Sequence, residues 1–169
     1  MATETYTDAI ALLKADHRKV EDLFDKFESA SDGKKQAIAE QICTELKIHS
    51  MIEEEIFYPA LQGKIEDDLL NEAYVEHDGA KVLINDIMMG GPDDRFYDAK
   101  VSVLSEEIEH HVKEEEAAKE GMFAQARAAD VDLVALRDEM LARKLELTAQ
   151  AEVEGLPPAK LAAVRLELA

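Results

Sequence analysis

Four stretches of the chain repeat apolar residues at intervals of three and four, and each series contains one histidine. The first reads Ile10, Leu13, His17, Val20, Phe24, Phe27, and the second Ile42, Leu46, His49, Glu53, Ile56, Ala60. The third is Leu70, Ala73, His77, Ala80, Ile84, Ile87, and the fourth Val101, Leu104, Ile108, His111, Glu115, Ala118, Met122. This spacing gathers each series on one side of an α-helix facing a core, whereas sustained strand alternation is missing. Breaks rich in Gly and Pro fall at Ser31-Asp32-Gly33, Gln62-Gly63, Gly90-Gly91-Pro92-Asp93-Asp94 and Gly155-Leu156-Pro157-Pro158. Connections this short return the chain antiparallel to itself, so the expected fold is all-α, an up-down-up-down four-helix bundle over residues 1–128. Asp130 is the expected N-cap of a fifth helix near 131–151, with Leu133, Leu136, Met140 and Leu147 on one face. Residues 159–169 are expected as a short amphipathic helix or a tail. The whole extension, 129–169, is assigned to packing on the bundle or to a homodimer contact.

Arithmetic then sets the heights of the histidines. Residues level on two antiparallel helices lie equally far from the turn between them. The midpoint of His17 and His49 is Gly33, that of His49 and His77 is Gly63, and that of His77 and His111 is Asp94. Each falls on an expected turn. At ~1.5 Å rise per residue, a two-residue error moves a side chain only ~3 Å, so the four imidazoles should share one layer.

Two series place a carboxylate one turn after the histidine, as His49-x-x-x-Glu53 and His111-x-x-x-Glu115, a spacing that puts both side chains on one helix face. One histidine on an apolar stripe is ordinarily a satisfied core residue. Four at one level with two inward carboxylates are different, because a buried unpaired carboxylate must shift its pKa or meet a cation. The candidate metal ligands are therefore His17, His49, Glu53, His77, His111 and Glu115. Glu21 forms a further His-x-x-x-Glu pair with His17, but Arg18 and Asp22 beside it mark the polar edge of its stripe. His110 lies about 100° around the helix from His111 and reads as a surface or supporting group. Tyr74 reads as core packing, Glu54, Glu55, Glu114 and Glu116 as solvated acids beside the ligands, and Cys43 as buried filler.

Charge narrows the partners. Lys and Arg number 19 against 38 Asp and Glu, a net charge of -19. Such a surface repels nucleic-acid phosphates and anionic membranes, and small cations are its natural partners. One cysteine permits no internal disulfide and no Cys-rich metal cage, which fits a reducing compartment. The start carries acid where a signal peptide needs base, and no apolar run approaches the ~20 residues of a membrane span, so a cytoplasmic location is expected. Imidazoles and carboxylates without thiolate disfavour a Cys-type zinc cage, calcium and magnesium; iron fits best, with manganese and zinc behind it.

Asp16-His17, His49-Ser50-Met51-Ile52-Glu53-Glu54, Glu76-His77 and His110-His111-Val112-Lys113-Glu114-Glu115-Glu116 together resemble the hemerythrin-like proteins of the HHE cation-binding class, over roughly residues 7–127. The resemblance implies a di-iron centre with His17, His49, His77 and His111 as terminal ligands and Glu53 and Glu115 as bridges, and it gives Glu21 no role. The oxygen-carrying members have a second third-helix histidine and an aspartate in the last motif. Here the positions four from His77 are Ala73 and Lys81, and the last carboxylate is Glu115. One imidazole fewer leaves one iron more open. Phe57-Tyr58-Pro59 follows the first motif as in the family, whereas the last runs on to Gly121-Met122-Phe123-Ala124, where an irregular helix is expected. The implied function is non-haem di-iron binding of a small ligand, namely oxygen, nitric oxide or peroxide. A peroxidase, catalase-like or ferroxidase enzyme, or iron storage, is the alternative at the same centre, and a metal-independent helical interaction module is the third.

Overall fold

In the computed structural model, which describes residues 5–166, the chain is helical and has no strand among those residues. Helix α1, Ala9–Ser29, starts at Asp8, whose side chain accepts from the Ala11 N–H at 2.8 Å. Helix α2, Asp32–Ile52, runs into a π-helical turn, Glu53–Phe57, and a short α3, Tyr58–Leu61. Helix α4, Asp67–Gly90, and helix α5, Tyr97–Glu116, complete an up-down-up-down bundle. The connections fall where the Gly and Pro breaks place them. A short α6, Met122–Ala128, and a long α7, Leu133–Val153, follow.

Every member of the first and third apolar series is buried, as the helical spacing requires. Two apolar clusters result. One holds Leu13, Ile52, Phe57, Leu70 and Met122, and the other Val20, Leu46, Ala80 and Leu104. On α1 the clusters end at Leu13 and resume at Val20, and on α4 they end at Ala73 and resume at Ala80. His17 and His77 sit in these gaps, so the histidine layer separates two apolar cores.

The π turn corrects the second series. The Tyr58 N–H bonds to the Glu53 carbonyl, five residues back, so one extra residue is wound into the turn. Pro59 supplies a cause: in a regular helix its ring would strike the Glu55 carbonyl, and it has no N–H to donate. The inward face slips by one position. Phe57, Tyr58 and Leu61 are fully buried, while Ile56 and Ala60 are only partly so.

The fourth series is interrupted as expected near Gly121, but Ala118 is exposed rather than in the seam. Helix α5 stops at Ala117, which is extended, and the Gly121 N–H returns to the Ala117 carbonyl at 3.1 Å. A Cβ at position 121 would lie 2.5 Å from that oxygen and 2.8 Å from the Glu115 carbonyl oxygen. Only glycine fits this close approach.

The fifth helix is capped by Asp132, not Asp130: the Asp132 side chain accepts from the Ala135 N–H at 3.0 Å, whereas Asp130 occupies a left-handed conformation at φ 58°. Met140 and Leu147 are buried, and Leu133 and Leu136 pack partly buried against the same core. Helix α7 lies along α1, α2 and the π turn. Beyond it the described residues form neither a helix nor a loose end. Residues 157–164 run as an irregular strap that bends at 162–163, with Asp78 accepting from the N–H groups of Ala162, Ala163 and Val164 at 2.6–2.8 Å. Residues 1–4 of the expected bundle segment and 167–169 of the expected tail lie outside the described residues.

Candidate metal centre

The four histidines reach the middle of the bundle at one level. Ring centroids are 4.9 Å apart for His17 and His49 and 4.7 Å apart for His77 and His111. Each of the four is at most 6% exposed, Glu53 is fully buried and Glu115 is 1% exposed. Glu53 contacts the Nε2 of His49 one turn away and lies 3.8 Å from the Nε2 of His77. Glu115 contacts the Nε2 of His111 and lies 3.9 Å from that of His17. Two four-residue sets result, His17-His49-Glu53-Glu115 and His77-His111-Glu53-Glu115, with ligand atoms within 4.8 Å of one another in each set. Glu53 and Glu115 belong to both.

The outer nitrogens form a second pattern. His17 Nδ1 lies 2.7 Å from Glu116 and His49 Nδ1 3.0 Å from Asp16. His77 Nδ1 lies 2.8 Å from Glu54 and His111 Nδ1 3.0 Å from Glu76. Each carboxylate comes from the preceding neighbour around the bundle: α5 serves α1, α1 serves α2, the π turn serves α4, and α4 serves α5. A carboxylate accepting at Nδ1 fixes the ring's orientation and leaves the Nε2 lone pair facing inward. This corrects the reading of Glu54 and Glu116 as solvated acids, since both are turned onto histidines. Glu55 does face outward, to Arg143 at 2.8 Å, and Glu21 pairs with Arg18 at 3.3 Å, away from the centre.

Tyr58, given no role by the helical spacing, has its hydroxyl 3.1 Å from His77 Nε2 and 3.3 Å from His111 Nε2. The π turn carries it there. Tyr74 packs edge-on against its ring at 5.2 Å. Phe123, brought back by the Gly121 turn, stacks on His17 at 5.9 Å with the rings within 10° of parallel. His110 is 66% exposed and lies beside Glu76 and Glu114 at 3.3 and 3.1 Å. Cys43 is buried, and burial pushes its thiol up to about 12, so it is not a ligand in waiting.

Electrostatics marks the cluster as incomplete on its own. Burial opposes ionisation of Glu53, but the His49, His77 and His111 charges outweigh it and hold this carboxyl well below its usual range. Burial and then the Glu53 charge push Glu115 up to about 7. Two acids this close cannot both ionise unless positive charge sits beside them, and without a metal only protonated imidazoles supply it: burial opposes the His49 charge, but Glu53 and Asp16 outweigh it and push that histidine up to about 10. In addition, His17 Nε2, His49 Nε2 and both oxygens of Glu53 and Glu115 are buried and make no hydrogen bond of good geometry, although Glu53 touches His49 Nε2 and Glu115 touches His111 Nε2. These residues fit a metal: six inward donor atoms converge in the core without a well-formed hydrogen bond.

A helical bundle presenting a buried His/Glu cluster of this kind is a bundle-type cation-binding fold. The Hemerythrin HHE cation binding domain matches residues 8–126, and the chain belongs to that family. Hemerythrin-like domains bind metal ions, and the buried groups described above could hold one. Among solved structures, a hemerythrin HHE cation binding domain-containing protein from Mycobacterium kansasii superimposes with a TM-score of 0.72 at 22% identity, covering 89% of this chain and 95% of that one. A DNA nickase from Nostoc sp. is 29% identical over 117 residues, 69% of this chain. The chain spans only 32% of that relative's length. No helix among the described residues is long and apolar enough to cross a membrane.

Proposed function

We propose that the protein is a non-haem di-iron protein whose centre binds, senses or scavenges a small ligand: oxygen, nitric oxide or peroxide. The observation that carries this reading is the set of six buried donor atoms that converge without a well-formed hydrogen bond. Left unsatisfied, each would cost about 1–3 kcal/mol. His17 and His49 would hold one ion, His77 and His111 the other, and Glu53 and Glu115 would bridge both. Neutral imidazoles mixed with carboxylates suit iron, and suit manganese or zinc less well. An iron pair would supply electrons and open coordination positions for the ligand.

What the chain supplies is size selection. A cavity of about 30 Å³ adjoins all four histidines, walled by Val20, Leu46, Ala80, Ile84, Ile108 and Val112. A water-sized guest needs roughly 10–15 Å³, so the space suits a two- or three-atom molecule and excludes larger substrates.

Elemental analysis and spectroscopy test the reading. About two metals per chain should be found and should be lost in Glu53→Ala, and anaerobic iron loading followed by air or nitric oxide should produce a charge-transfer band. A folded, colourless, metal-free product would overturn it.

Tyr58 favours a second reading, turnover of peroxide. Burial, then the Glu115 and Glu53 charges, hold its hydroxyl well above the usual range, so it keeps its proton and can donate it as a hydrogen bond at the centre. Peroxide consumption by the loaded protein should then fall in Tyr58→Phe while metal content stays; rates in Tyr58→Phe and His49→Ala equal to that of the parent would remove this reading. The name of the Nostoc relative is not extended to this chain, because a net charge of -19 repels DNA.

A further inference from the structure

A second pocket, about 320 Å³, lies between α2, α4 and the C-terminal strap, outside the centre. Ser50 and Lys81 line both this pocket and the 30 Å³ cavity beside the histidines, so two side chains form the partition between them. This inference rests on the metal centre proposed above.

The pocket has the opposite sign to the rest of the molecule. Its two carboxylates are already matched: Glu54 lies 2.8 Å from Lys81 and 2.8 Å from His77, and Glu55 lies 2.8 Å from Arg143. Among the described residues, Lys47 and Lys160 have no carboxylate within 4.0 Å. Lys47 is only 6% exposed, its Nζ donates to the Pro157 carbonyl at 3.3 Å, and no carboxylate lies within 4.0 Å of it among the described residues. An ammonium has three donors, so a buried one with a single carbonyl acceptor lacks both hydrogen bonds and a counter-ion. A small anion supplies both. Over a chain carrying -19 such anions are repelled, which makes one cationic opening decisive for where they approach.

We propose that the space beneath the strap is a vestibule that collects a small monovalent anion at Lys47 and admits it past Ser50 and Lys81 to the metal centre. The strap builds the site by bringing the Pro157 carbonyl to Lys47 and Lys160 to the rim. It is held there by Asn85, which donates to the Ala159 carbonyl at 2.9 Å and accepts from the Ala159 N–H at 2.8 Å. The inner cavity sets the size limit, so the ligand class is an anion of two or three heavy atoms, such as superoxide.

Azide is the probe. Its association with the iron-loaded protein, followed by stopped-flow absorbance, should gain less from added salt in the parent than in Lys47→Met, because salt screens the lysine's attraction as well as the repulsion of the chain. It should be about 5- to 10-fold slower in Lys47→Met at low salt, with metal content unchanged. Lys160→Met should show a smaller slowing, and it carries the test if Lys47→Met does not fold. Equal rates in the folded variants and the parent at equal metal content would overturn the proposal. A separate arm needs no iron: nuclear magnetic resonance of the protein as isolated and after zinc loading, titrated with azide. Saturable shifts at the amides of residues 47–50 and 159–160, lost in Lys47→Met, support the vestibule, and their absence overturns it. If no metal is bound but the shifts appear, the di-iron reading fails while the anion site stands.

Discussion

Lys144 on α7 donates to Asp16 Oδ1 at 2.5 Å, while Asp16 Oδ2 faces His49 Nδ1 at 3.0 Å. The helix outside the bundle therefore reaches the centre through one carboxylate. Burial disfavours the Asp16 charge, but His49 and Lys144 outweigh it and hold the carboxyl below its usual range. Replacing Lys144 by Met should weaken metal retention about 3- to 10-fold, below the 10- to 100-fold typical of losing an orienting carboxylate itself. Competition with a chelator measures this, and unchanged retention would show that α7 only packs.

The ring of Nδ1 carboxylates makes a sharper prediction. Glu54→Gln and Glu116→Gln each remove the charge that orients a histidine on the neighbouring helix, and each should cost about 10- to 100-fold in metal affinity. Glu55→Gln, adjacent in sequence but facing Arg143, should change affinity little. Helix content by circular dichroism should stay the same in all three. Equal effects at Glu54 and Glu55 would mean that general negative potential matters and orientation does not.

The heights of His17, His49, His77 and His111 could be read from the sequence because helix rise is fixed and the turns are marked by Gly and Pro. Glu53 and Glu115 followed from spacing of four. Tyr58 was hidden because the π turn adds one residue and rotates the inward face, and Pro59 was the available signal. The partners of the imidazoles were hidden for another reason: each acts across to the next helix, which the periodicity of a single helix does not show. The trace they leave is adjacency, an acid beside a candidate ligand in Asp16-His17, Glu53-Glu54, Glu76-His77 and Glu115-Glu116. The anchoring of the strap left no trace, because Asp78 binds the backbone N–H groups of residues 162–164, which any residue but proline would offer.

Acid should release the strap first. Burial raises the Asp78 pKa, but the N–H groups of Ala162, Val164 and Ala163 and the Lys81 charge outweigh it and hold the pKa below the usual aspartate value. A carboxyl lowered by folding stabilises at pH above its unfolded pKa, and that stabilisation fades as pH falls through the lowered value. Amide exchange at residues 162–164 should therefore stay slow at neutral pH and accelerate below about pH 4, the ordinary aspartate range. In Asp78→Asn it should be fast and nearly independent of protonation in that range. Slow exchange in that variant would show that other contacts hold the strap.

Gly121 tests whether the turn after α5 serves the centre or only ends a helix. An added methyl would sit 2.5–2.8 Å from the backbone of Ala117 and Glu115, atoms that cannot rotate away. Gly121→Ala must then open the turn, at about 1–3 kcal/mol by analogy with overpacked cores. Because Glu115 is one of the crowded residues and Phe123 stacks on His17 just beyond, the strain should reach both sides of the site. Thermal unfolding should show the stability loss, and chelator competition a parallel loss of metal retention. Phe123→Leu, which leaves the turn intact, should reproduce only the part due to the lost ring over His17. If Gly121→Ala lowers stability but holds metal as tightly as the parent, the turn positions α6 alone and the bundle sets the ligands without it.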